Sequence, residues 1–285
     1  MYRLFTSSLK TFLPAFIISA LFFLSLSHRA EANIFGTEDL VIQETETGQI
    51  DWVKGVVRSK GAVNEDVPDN TNNVAVKKMK TLRQAKIDAM RNMIETIKLI
   101  KVDSSSTVGN YMEGSSFIRK RMHSIVKRAR IVDKNPLSEG GMEVEIELPL
   151  KGLLTETMIQ SSSDVEITKS GEELYTGLIV DAKGLDINPA LSPKILNEHG
   201  REVFSASIVK RDTLLNKGLV SYSSKISFAE TNSRIGDKPL IIRALRKSGI
   251  NGTSVVISLA DAAKVRNPSI NLTWLTECRV IIVID

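Results

Sequence analysis

The chain of 285 residues has one cysteine, three histidines and only 5% aromatic residues. Each scarcity excludes something. The lone thiol, Cys278, cannot close an internal disulfide; in the apolar stretch CRVIIVID it reads as a small buried hydrophobe, an intermolecular disulfide being the alternative. His28 belongs to the leader described below. His123 and His199 have no cysteine, histidine or carboxylate at metal-ligand spacing, so neither metal nor cofactor is expected. No G-x-S-x-G, phosphate loop or H-E-x-x-H occurs. A serine nucleophile would need a base and an orienting group, for which two histidines leave little choice. A non-enzymatic protein is expected, with an unrecognised hydrolase as the minority alternative. Few aromatics also mean few stacking platforms for bases, which argues against nucleic acid.

What is there is ordinary globular material, 42% hydrophobic and 25% charged, enough for one large or two ordinary domains. Arg3 and Lys10 precede an apolar run from Phe12 to Leu26, and Ala30-Glu31-Ala32 places small residues where a signal peptidase reads. Residues 1–32 are therefore expected to be a signal peptide, with a mature chain starting at Asn33 and exported to the periplasm. The run of about 15 residues in Phe12 to Leu26 is short of the roughly 20 that span a bilayer, and a retained anchor is the alternative. No cysteine near the cleavage point can accept a lipid. Cleavage leaves 35 basic against 32 acidic side chains, a nearly balanced protein.

Val74 to Val108 organises the first half. On a helical wheel started at Met79, Leu82, Ala85, Ala89, Met93, Ile97 and Ile100 share one side, and Ile87, Met90 and Ile94 widen it. The apolar arc is about 200°, against the roughly 100° that seats a helix on one layer. A second cover is expected, from the same domain or from a neighbouring subunit. Around this helix, residues 33–48 read as an acidic flexible extension, Gln49 to Val57 as a strand and Arg58 to Asn73 as a loop whose last residues can cap the helix. Lys101 to Val108 reads as a short strand. Gly114-Ser115-Ser116 then introduces a second helix, Phe117 to Ala129. Arg130 to Lys134 and Met142 to Leu148 form a hairpin in which Glu143, Glu145 and Glu147 face solvent. The order is β-α-β-α-β-β, an α+β two-layer sandwich over 49–155 with both helices on one face.

The pieces KIDAMRNMIETIK, VDSSSTV, ARIVD and MEVEIELPLKGLL resemble the bacterial LPP-twenty lipoprotein family, which includes the flagellar protein FlgP and is similar to the N-terminal domain of FlgT. The resemblance covers residues 49–154. Ala85, Asp88, Ala89, Arg91 and Glu95 match its first helix, Val102, Asp103, Thr107 and Val108 the following segment, and Glu143, Val144, Leu148, Leu150 and Gly152 its closing strand. These matches imply a fold and no active site. Two departures are Leu99, where a glycine is expected, and the missing lipid-accepting cysteine.

Residues 156–172 read as a linker, and 173–285 as a second, β-rich domain. Its strands are expected at Tyr175 to Ala182, Lys194 to Asn197, Arg201 to Ile208, Lys225 to Ala229, Leu240 to Leu245, Ser254 to Leu259 and Arg279 to Ile284. Short helices are expected at Thr213 to Gly218 and Leu259 to Val265. LIVDA and VIIVID should be the buried centre of the sheet. Asp181, after the first of these runs, reads as a turn former.

The local extreme is electrostatic. Between Lys77 and Arg130 fourteen basic residues face four acidic ones, with Arg91 and Glu95 available as an i, i+4 pair. Lys120, Lys127 and Arg128 have no structural task in the pattern and form the candidate partner-binding face. Their expected partners are envelope or flagellar proteins, a second copy of the chain, or an anionic lipid or cell-wall surface. The resemblance implies a structural or assembly protein of the bacterial envelope, associated with the flagellar basal body or outer membrane; the alternative is a periplasmic ligand- or peptide-binding protein.

Overall fold

The computed structural model describes residues 38–65, 73–138, 140–159, 171, 173–267, 269 and 271–285. The expected signal peptide and most of the expected linker lie outside them. Asp39–Asp285 form one compact unit, α+β in class, built on two sheets.

The first sheet is antiparallel in the order β1-β2-β3-β5-β4, with β1 at Ile42–Thr45, β2 at Gly48–Asp51, β3 at Val56–Glu65, β4 at Arg130–Pro136 and β5 at Gly140–Pro149. Helices α1 (Val74–Lys98), α2 (Val108–Gly114) and α3 (Ser116–Val126) precede β4, and α4 (Leu153–Met158) follows β5. The side chain of Asn73 starts α1 by accepting from the N–H groups of Ala75 and Val76. Helix α1 lies across β3 and β5, burying Ala85, Ala89, Met93 and Ile97 against Val57, Val144, Ile146 and Leu148. Small residues let it approach closely. A Cβ on Gly61 would sit 2.0 Å from the Ala89 nitrogen, and the Ser59 hydroxyl donates to the Ala89 carbonyl at 2.8 Å.

Several expectations need correction here. The extension 33–48 contains β1, which pairs with β2 as a hairpin, and the expected loop 58–73 contains most of β3. Its Ser59 and Gly61 read as loop residues, yet they are the inward positions that make room for the helix. Lys101 to Val108 is reduced to one bridge, Lys101 to Thr107, after which Thr107 and Asn110 form a reciprocal cap that starts α2. The apolar arc of α1 is also narrower and displaced. Met79 is 71% and Ile87 43% exposed, while Thr81 and Thr96 are buried with their hydroxyls returned to the carbonyls of Lys77 and Asn92. Leu99 needs no glycine, because it closes α1 in the right-handed region at φ −79°.

The second sheet has seven strands in the order β8-β7-β11-β10-β6-β12-β9. These are β6 (Gly177–Asp181), β7 (Ile195–Asn197), β8 (Glu202–Phe204), β9 (Ser221–Ser223), β10 (Pro239–Ser248), β11 (Ser254–Ile257) and β12 (Val280–Val283). Helices α5 (Arg211–Lys217), α6 (Ile226–Glu230), α7 (Leu259–Val265) and α8 (Thr273–Thr276) lie between strands. Strand β6 runs parallel to β10 and β12, and β12 parallel to β9, so the two most apolar segments sit side by side in the interior. The expected strand Lys225 to Ala229 instead forms the helix α6 from Ile226 on, and β9 lies just before it; a five-residue segment is too short to distinguish the two periods.

The two sheets are stitched together. The N–H groups of Leu191, Ser192 and Asn251 donate to the carbonyls of Lys101, Val102 and Ser104. Gly249, at φ +85°, approaches Ser104 so closely that a Cβ there would lie 2.2 Å from the serine Cβ. At the other side of the seam the carboxylate of Asp39 accepts from the hydroxyls of Ser223 and Ser224 and from the Ser224 N–H at 2.7–2.9 Å. Thus the segment Lys101 to Ser104 joins the halves.

Candidate functional site

Helix α3 begins at Ser115, whose hydroxyl accepts from the Ile118 N–H at 3.3 Å. It turns Met122, Ile125 and Val126 inward. The helix ends at Val126, three residues before the expected Ala129; Lys120 on its outer surface and Lys127 and Arg128 in the turn that follows are exposed, and none has an ion pair among the described residues. Neighbouring cations are occupied. Arg119 donates to the carbonyls of Met112 and Glu113, Arg121 lies 3.9 Å from Glu156, and Arg130 pairs with Glu147. On α1 the expected Arg91–Glu95 pair is replaced by Arg91–Asp88 at 3.3 Å and Lys98–Glu95 at 2.8 Å. An i, i+3 partner was available to each, and helix geometry serves that spacing as well as i, i+4.

Glu147 departs from its expected solvent position. It is 5% exposed and held between Arg58 and Arg130 on neighbouring strands. Burial alone would raise its pKa, but the hydrogen bonds and charges of Arg130 and Arg58 outweigh it and leave the carboxyl below the usual glutamate range.

A second cationic region lies at the seam. A small cleft of about 130 Å³ has Trp52, Leu150, Leu191 and Leu219 on its walls and Lys54, Lys151 and Lys217 among its polar lining. Lys151 and Lys217 also line an adjoining recess with Asn216, Ser233, Arg234 and Arg279, a set without a carboxylate. The main chain brings the two lysines together, since the Gly152 N–H donates to the Leu215 carbonyl at 3.0 Å. Arg234 directs Nε to the Cys278 carbonyl, Nη1 to Lys217 O and Ser221 Oγ, and Nη2 to the carbonyls of Gly218 and Leu219, at 2.6–3.1 Å. Its donors are engaged by neutral acceptors while its charge is balanced by no carboxylate among the described residues. Desolvation pushes its pKa down to about 10. None of these seam residues stood out in the sequence, because Lys54 and Arg279 are far apart along it and only the topology brings them together.

The remaining candidates resolve plainly. Asp181 accepts from the Lys183 N–H, a turn-forming role. His123 and His199 are exposed. Cys278 is buried and its thiol is pushed up to about 12 by burial, an unreactive site. Among the described residues no group of three or more His, Cys, Asp or Glu is arranged to hold a metal ion, and no helix is long and apolar enough to cross a membrane.

The architecture is that of an α+β protein whose second half is a mixed sheet. That half is similar to a family described as the second domain of Treponema pallidum Tp0624, whose model matches residues 177–285, from the first residue of β6 to the last residue of the chain. No curated protein matches the chain.

Proposed function

We propose that this protein is an exported, non-enzymatic structural or assembly component of the bacterial cell envelope, working at the flagellar basal body or the outer membrane. The observation that carries the reading is the exposed basic face formed by Lys120 on α3 with Lys127 and Arg128 in the turn that ends it, on a half whose ordered pieces resemble the LPP-twenty family. Charges that support no internal contact are free to meet an acidic partner surface. The direct bonds across the seam support it further, because a component that transmits position within an assembly needs its halves held in one relation. The match to Tp0624 adds that the second half resembles a domain which, in that protein too, follows another.

The test is fractionation of cells producing the full chain, followed by size measurement of the exported form and scoring of a deletion strain for motility and envelope integrity. Envelope fractionation with large oligomers or a motility or integrity defect is the expected result. A soluble periplasmic monomer, with no defect in the deletion strain, would replace this reading by that of a ligand- or peptide-binding protein.

A further inference from the structure

We infer that the recess between Lys151 and Lys217 is a binding site for a multiply charged oxyanion of the phosphate class. The inference is independent of the envelope role. It rests on an imbalance of charge at one place. Four cationic side chains, Lys151, Lys217, Arg234 and Arg279, line the recess without a carboxylate among its walls. Arg279 is paired with Glu277 at 2.8 Å, which removes one of them from account. The ammonium groups of Lys151 and Lys217 are exposed and have no ion-pair partner among the described residues.

Arg234 is the unusual member. It supports the fold by holding the main chain of Lys217, Gly218, Leu219 and Cys278, and those neutral carbonyls satisfy its donors without cancelling its charge. It therefore contributes a fixed positive field at the base of the recess, while the two lysines are free to move onto a ligand. Three uncompensated charges favour a dianion over a single carboxylate, and lysine ammonium groups bind phosphate as point charges. Asn216 and Ser233 add neutral donors at the rim.

Both halves of the protein build the site, Lys151 following β5 and Lys217 ending α5. The recess shares Lys151, Lys217 and Arg234 with the seam cleft, whose walls include Trp52, Leu150 and Leu219. A phosphate seated at the lysines could thus belong to a free phosphorylated compound or to a lipid headgroup whose apolar part follows those walls. The shared chemistry is the phosphate, and the test separates the sources.

Full-length protein is titrated with inorganic pyrophosphate by calorimetry, and in parallel mixed with phosphatidylcholine vesicles with and without phosphatidic acid. Saturable, salt-sensitive pyrophosphate binding is expected. It should weaken by about 10-fold or more in K151E/K217E and also fall in K151Q/K217Q, which removes charge without adding acid. Both lysines are exposed, so circular dichroism should show the variants folded. Lys120→Glu/Lys127→Glu/Arg128→Glu serves as the control and should keep pyrophosphate affinity. Vesicle binding that needs both phosphatidic acid and the two lysines assigns a headgroup; pyrophosphate binding alone assigns a soluble phosphate. Absence of saturable binding to either probe overturns the proposal, as does binding that the lysine variants retain or that the α3 control loses.

Discussion

The indole of Trp52 and the phenol of Tyr222 meet edge to face, ring centroids 5.6 Å apart at 77°, one ring from each side of the seam between the sheets. The contact is anchored behind Tyr222, whose hydroxyl donates to the Ala190 carbonyl and accepts from the Ala190 N–H, both at 2.9 Å. Burial pushes its pKa up, so it remains a neutral donor and acceptor throughout the physiological range.

Tyr222→Phe leaves both backbone groups of Ala190 without that partner and should cost about 1–3 kcal/mol. Trp52→Ala removes a buried aromatic and should cost about 3–5 kcal/mol. The pair should couple by about 0.5–1.5 kcal/mol in a double-mutant cycle. Urea unfolding of the four proteins measures this. Strictly additive losses would show that the rings do not communicate across the seam.

Gly61→Ala should be among the most damaging small substitutions. The new Cβ would lie 2.0 Å from the Ala89 nitrogen and 2.6 Å from the Ala85 carbonyl oxygen, so α1 must move off β3. Gly55→Ala is the contrast: its added Cβ meets nothing within 4 Å, and the cost is confined to its φ of +66°. Thermal melts should place Gly61→Ala well below Gly55→Ala. Similar melting temperatures would mean that the helix is not seated on this strand.

Glu147 makes stability depend on pH in a stated direction. Its folded pKa lies below the ordinary value of 4.5, so the folded state holds the ionised form more strongly than the unfolded chain does. The stabilisation is present above about 4.5 and is lost as pH falls through the lower, folded value. Glu147→Gln should therefore be less stable than the unaltered protein at neutral pH, and the gap should narrow on acidification. Chemical unfolding from neutral pH down to acid checks it; a gap that stays constant with pH would mean that the two arginines do not act through the charge.

Much of the fold was legible where polarity alternates cleanly, as in Met142 to Leu148, or where runs are wholly apolar, as in β6 and β12. It was illegible where residues serve close approach. Ser59 and Gly61 look like loop residues and are the inward face of β3; Thr81 and Thr96 look like the polar side of α1 and are buried by bonding back to their own helix. The basic face at α3 could be read because its residues are close in sequence, Lys120 on the helix and Lys127 and Arg128 in the turn that ends it. The recess of Lys151, Lys217 and Arg234 could not, since the chain passes through α4, the second sheet and α5 to assemble it.

The basic face itself offers the sharpest division between fold and function. Lys120, Lys127 and Arg128 are exposed and unpaired among the described residues, and the buried contacts of α3 come from Met122, Ile125 and Val126 on its other side. Solvated charges of this kind contribute about 0–1 kcal/mol even when paired, so changing all three to glutamate should leave the melting temperature nearly unaltered. Against an anionic partner the same change should be large, because about 1 kcal/mol per basic side chain adds across the cluster and weakens as salt shortens the Debye length. Co-sedimentation with anionic vesicles, cell-wall fragments and envelope fractions, at low and high salt, measures the difference. Loss of one of these interactions in the triple variant, with folding intact, identifies the face as a partner surface and names the partner's class. Equal binding by both proteins to all three would leave the face as a solubilising one and remove the main support for an envelope assembly role.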